Sequence, residues 1–174
     1  NFVKVGGYDF VIGSQHCVDN KELYYKTYFQ GKTMKEIFRG YYDELLYNIT
    51  NFNNFDVVGH LDLIRRYSDE AVAFNFHEVM DRVEVILRKL ISDGKGIEVN
   101  AGGFFYPTAM TNPHPSILKL YKELGGEIIT YGSDAHVPQK IGANYERTMD
   151  ILKEAGFRYI SYFADRKVEF ERIR

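Results

Sequence analysis

A single cysteine, Cys17, and a formal net charge of −2 remove several classes of protein at the outset. One thiol forms no internal disulfide. No apolar stretch approaches the roughly 20 residues needed to span a bilayer, so a cytoplasmic setting is the expectation. The near-neutral charge and the lack of any basic run argue against broad electrostatic binding to nucleic acid or to an anionic membrane. Three chemical signatures are also missing: there is no GxSxG elbow, no GxxxxGK[ST] loop and no GxGxxG turn. The first ten residues, NFVKVGGYDF, have neither an initiator Met nor a basic-then-apolar signal pattern, and the expectation is that something precedes them.

What remains is a chain of 174 residues with 13 Phe, 14 Tyr and 45% hydrophobic residues. That apolar content offsets the entropy of ordering one domain, read as residues 1–174. No repeat, linker or low-complexity tract divides it.

Short apolar runs stopped by glycine alternate with helical periodicities. Phe10, Val11 and Ile12 before Gly13, and Phe55, Val57 and Val58 before Gly59, read as strands; so do Ile97–Ala101 and Glu127–Tyr131. Ile37, Phe38, Tyr41, Leu45 and Ile49 recur at helical spacing behind a Thr33/Glu36 capping pair. Further helices follow from Val79 to Ile91, after Pro115, and from about Asn144 to Glu154; Arg158–Phe163 and Val168–Phe170 read as last strands or edges. Alternation of this kind predicts parallel βα units, in either an open doubly wound sheet or part of a barrel.

The candidate chemistry gathers at the strand ends. In EIITYGSDAHVP, Asp134 and His136 are two positions apart, so both side chains reach one side of an extended segment. Alone, such a pair caps a helix or sits in solvent as readily as it binds a metal. Two more histidines occupy the same place, however: His16 after the strand in DFVIGSQH and His60 after the strand in DVVGHLDL, each with a glycine close upstream that allows the backbone to turn. With Asp134 and His136 they make a donor set suited to zinc, iron or manganese. Asp62 reads either as a partner that orients an imidazole or as a loop carboxylate bonded to backbone amides. Arg65 and Arg66 follow on the same loop, where a guanidinium fork suits phosphate, and Arg65 is favoured of the two. His77 is read as a surface or capping residue, His114 as a loop residue or a rim contact for substrate, and Cys17 as a small buried thiol.

Taken in order, DFVIGSQH, DVVGHLDLIRRY, IEVNAGG, PSILKLYKELGG and IITYGSDAHVPQKIG resemble the PHP (polymerase and histidinol phosphatase) superfamily, within it the monofunctional histidinol-phosphate phosphatases. The resemblance covers about Tyr8 to Ile173 and implies an α/β chain folded as a distorted (β/α)7 TIM-like barrel. It implies up to three divalent metals, with His16 and His60 on one, Asp134 on a second and His136 on the third; Asp134 and His136 then belong to the catalytic set, and Arg65 helps to hold phosphate. The implied reaction is hydrolysis of a small phosphate monoester, L-histidinol phosphate, to L-histidinol and phosphate in histidine biosynthesis. The rivals are a PHP phosphoesterase with another substrate and a non-catalytic metal-binding remnant. The family's HxH pair and bridging glutamate are not in this chain, so the expectation is the later two-thirds of such a domain, completed by an N-terminal segment. Where similar proteins often carry a basic residue after the Asn-x-x-Gly turn, this chain has Phe104, Phe105 and Tyr106.

Overall fold

A computed structural model describes residues 6–174, so the opening of the N-terminal stretch read above, residues 1–5, lies outside the described residues. Strand β1 (Ile12–Gly13) leads into a small hairpin of β2 (Cys17–Val18) and β3 (Lys21–Glu22). Helix α1 (Met34–Asn51) starts where the sequence places it. The Thr33 hydroxyl accepts the Glu36 N–H at 3.3 Å, and the Glu36 carboxylate accepts the Thr33 N–H at 2.7 Å. Both amides are ones the first helical turn leaves without partners. Ile37, Phe38, Tyr41, Leu45 and Ile49 are all buried along one stripe.

Strand β4 (Val57–Val58), the short helix α2 (Asp69–Ala73), helix α3 (Met80–Ser92) and strand β5 (Gly96–Asn100) follow. They are succeeded by α4 (Pro115–Glu123), β6 (Ile129–Gly132), α5 (Tyr145–Glu154), β7 (Tyr159–Ala164) and β8 (Lys167–Arg172). Strands β1, β4, β5 and β6 form one parallel sheet in that order. Neighbours in space are neighbours along the chain, and the order never reverses as it does in a doubly wound sheet. Each crossover carries a helix whose apolar stripe packs into the core with Ile97, Val99 and Ile129.

The two last strands pair antiparallel with each other. Their hairpin reaches across to the strand starts: the Ile129 N–H donates to Ser161 Oγ at 3.1 Å, Phe163 stacks on Phe10 at 5.0 Å, and Arg166 Nε lies 2.7 Å from Asp56. The hairpin thus occupies the sheet end opposite the histidines. Among the described residues the parallel sheet stays open, and no helix is long and apolar enough to cross a membrane.

Candidate active site

The parallel register organises the site through one residue that the motif reading passed over. Glu98 sits mid-strand in β5, where all five residues are buried, and it pairs in register with Thr130 while Asn100 pairs with Gly132. Its carboxylate accepts the His60 N–H at 3.0 Å and an Asn100 side-chain N–H at 3.1 Å. Asn100 in turn accepts the Gly102 N–H at 2.9 Å. Burial raises the Glu98 pKa, against the pull of the Asn100 and His60 hydrogen bonds.

This explains the glycines, though not as the sequence suggested. Gly13, Gly59 and Gly132 do not have positive φ. A side chain at Gly132 would collide with the Glu98 carboxylate, and one at Gly59 would meet Ser14 Oγ at 2.6 Å and Glu98 Oε2 at 3.3 Å. Gly132, and Gly59 more loosely, leave room for a buried carboxylate, whereas Gly13 faces the Phe55 side chain; the strained backbone falls on the polar residues instead, at His60 (φ 28°) and Asp134 (φ 52°).

His60 is buried, and its ring meets that of His16 edge to face at 5.0 Å. The His60 Nδ1 is enclosed and has no hydrogen-bond partner among the described residues. Its pKa is pushed down to about 4, first by burial and then by His16 and Arg66, with Asp134 opposing them. The imidazole is therefore neutral at physiological pH, the form that ligates metals. Asp134 packs beside Gly102, where an added Cβ would lie 2.9 Å from the Asp134 Cβ, and its carboxylate is 3.6 Å from Arg66 Nη1. His136 is exposed and its Nδ1 donates to the Asp134 carbonyl at 2.9 Å, which leaves Nε2 with its lone pair.

The two arginines take different positions. Arg65 is almost wholly buried, bonded to Asp62 at 3.2 Å, with its guanidinium over the Phe76 ring at 5.1 Å and against Met110. Asp62 also accepts from Asn112 at 2.7 Å and from the His114 backbone N–H at 2.9 Å, so it acts as a loop carboxylate and orients no imidazole. Arg66 is the one beside Asp134, with its guanidinium over Tyr106 at 4.5 Å. His114 caps α4 through Nδ1, which accepts the Ser116 N–H at 3.1 Å. His77 is exposed, as expected, and stacks on Phe76. Cys17 corrects the sequence reading: it is exposed, because Val18 takes the inward position of that two-residue strand.

Thus His16, His60, Asp134 and Arg66 converge, His136 follows on the adjoining loop, and Arg65 and His114 belong to the Asp62 cluster. Among the described residues no three His, Cys, Asp or Glu side chains are grouped closely enough to cage an ion.

Comparison with known proteins places this arrangement in a family. The PHP domain model matches residues 3–102, more than half of the chain, and the chain belongs to that family. A histidinol-phosphatase of Lactococcus lactis subsp. lactis is 31% identical over 172 residues, 97% of this chain and 63% of that protein. A Thermotoga maritima protein named "Probable histidinol-phosphatase" is 34% identical over 126 residues, 72% of this chain and 52% of that protein. The crystal structure of the Lactococcus lactis histidinol phosphate phosphatase complexed with zinc, L-histidinol and phosphate superimposes with a TM-score of 0.82 at 30% identity, over 97% of this chain and 64% of that one. The chain therefore spans less than two thirds of the length of the relatives it matches.

Proposed function

We propose that this chain forms the larger part of a metal-dependent phosphatase that hydrolyses L-histidinol phosphate to L-histidinol and phosphate, on a distorted (β/α)7 barrel. The observation that carries the proposal is the neutral, buried His60 imidazole, whose Nδ1 has no partner among the described residues and whose ring meets His16. A buried nitrogen without a partner is costly unless something absent from the chain satisfies it, and a divalent metal does so. The likeness to a phosphatase crystallised with zinc, L-histidinol and phosphate points the same way.

In this reading His16 and His60 hold one metal, Asp134 a second and His136, through its free Nε2, a third, with zinc, iron or manganese compatible with the donors. The remaining donors come from the part of the relatives' length that this chain does not span. The metals supply Lewis-acid polarisation of the phosphoryl oxygens and an acidified water. Arg66, partly exposed and held between Tyr106 and Asp134, presents its fork to the phosphate. Arg65, neutralised by Asp62, fixes the loop that carries both His60 and Arg66, and the His114 ring edges the same cluster. Glu98 holds the His60 backbone in its strained conformation.

The test is metal content and L-histidinol phosphate hydrolysis by the full-length product, with His136→Ala alongside. Bound metal and turnover that the substitution abolishes support the proposal. Bound metal with turnover only of other phosphate monoesters transfers the reading to a different PHP phosphoesterase. Bound metal without turnover of any phosphate monoester would favour the non-catalytic metal-binding remnant, and absence of metal binding would overturn the metal-dependent reading itself.

A further inference from the structure

The three consecutive aromatic residues after the Gly102-Gly103 turn carry a feature that the phosphatase reading does not use. Phe105 and Tyr106 are exposed, at 47% and 40%, on a loop whose base, Gly102, abuts Asp134. Each of the three rings is covered by a cation from a different place: Arg147 over Phe104 at 4.0 Å, Lys140 over Phe105 at 4.1 Å and Arg66 over Tyr106 at 4.5 Å. Lys140 lies in the Pro138–Lys140 turn just beyond His136, and Arg147 in the first turn of α5. The rings therefore tie the loop after β5 to the loops after β4 and β6, on the face where the site residues gather.

Arg66 already has Asp134 as a counter-ion. Among the described residues, neither Lys140 nor Arg147 has a carboxylate within ion-pair distance. A guanidinium lying over a ring keeps its in-plane N–H donors free, and an ammonium over a ring keeps those that point away from it. Two cations are thus held in place by aromatic faces, with donors unspent and no protein anion to neutralise them, in a chain whose net charge is negative.

We propose that Lys140 and Arg147 form an anion-recruiting subsite on the rim of the candidate active site, which captures the phosphate dianion of a small phosphate ester before it reaches Arg66. The subsite rests on the phosphatase reading for its substrate class, but its chemistry, cations fixed on aromatic faces beside the site, is independent of the alcohol the ester carries. Fixed charges at the mouth of a site raise the local concentration of an oppositely charged ligand, an effect that salt screens.

The experiment uses the full-length, metal-loaded protein with inorganic phosphate as the binding probe and 4-nitrophenyl phosphate as a general ester. Wild type is compared with K140M/R147M, in which each Met keeps an apolar stem over its ring, and with Arg147→Lys, which keeps the charge. The expected result is phosphate binding weakened about fivefold in the double variant, and a matching rise in KM that exceeds any fall in kcat. The decline of kcat/KM with added salt becomes shallower, and Arg147→Lys retains most of the affinity. Unchanged phosphate affinity and an unchanged salt slope would overturn the subsite, as would a loss confined to kcat, which would make the cations structural clamps of the loop. Failure to turn over L-histidinol phosphate would reject the proposed substrate without altering the phosphate titration, so the two readings fail separately.

Discussion

Gly132 and Glu98 offer the most direct test of how the site is built. A methyl group at Gly132 would fall on the Glu98 carboxylate, and the three nearest heavy atoms are all from Glu98, the third at 3.3 Å. With no positive φ at Gly132, the backbone itself accepts alanine. In the wild-type background the substitution must push a buried carboxylate off the His60 and Asn100 donors, and overpacking of this kind costs about 1–3 kcal/mol. Elsewhere, a Gly→Ala change in a compatible conformation stabilises by about 0.4–1 kcal/mol through the unfolded state. Removing Glu98 opens that space, so Gly132→Ala should become neutral or mildly stabilising in a Glu98→Ala background. The predicted coupling between the two positions is therefore roughly 1–4 kcal/mol, above the few tenths expected of independent sites.

Glu98→Ala alone has opposing terms, because it strands the His60 N–H and the Asn100 amide, at about 1–3 kcal/mol for each unsatisfied donor, while relieving the desolvation that raises the Glu98 pKa. The coupling does not depend on how those terms balance. Urea unfolding of the four proteins, followed by circular dichroism, gives it directly. Additive costs would refute the claim that Gly132 is a glycine to make room for the carboxylate.

Three further outcomes follow from the same contacts. In metal-free protein, the folded state holds His60 at a pKa of about 4 against an ordinary 6.5, so between those values the unfolded chain binds more protons. His60 thus contributes stability above pH 6.5 that is lost as pH falls towards 4, about 3 kcal/mol in all; the stability-against-pH curves of wild type and His60→Asn should diverge over that window, and parallel curves would refute it. Arg65→Met leaves Asp62 a buried charge short of its partner and should cost about 3–5 kcal/mol, while a loss below 1 kcal/mol in chemical denaturation would mean that the pair is not held as described. Thr33→Ala removes the acceptor that opens α1, and should cost about 1 kcal/mol and lower Tm by roughly 2–4 °C in calorimetry.

Some of this is legible in the sequence because the signals are local. The α1 stripe and its capping pair depend on residues three and four apart, and the histidines after β1 and β4 declared themselves by repeating one position at two strand ends. The choice between Arg65 and Arg66 was of another kind: adjacent residues point apart, and only the placement of Asp62, Asn112 and Asp134 decides which guanidinium is buried in a pair and which faces the site. Glu98 is the more instructive omission. Ile97-Glu98-Val99-Asn100 alternates apolar and polar with the period of a strand, which ordinarily means one face in the core and one in water. All four residues are buried. The face carrying Glu98 and Asn100 must then be turned into a protein-lined interior, where a carboxylate and an amide survive only if neighbouring strands bring donors to them. Alternation can be read from the chain; burial of its polar face cannot, because that depends on β4 and β6 closing over both sides with glycine at the points of contact. The glycines and the glutamate are one device, and each half of it looks unremarkable without the other.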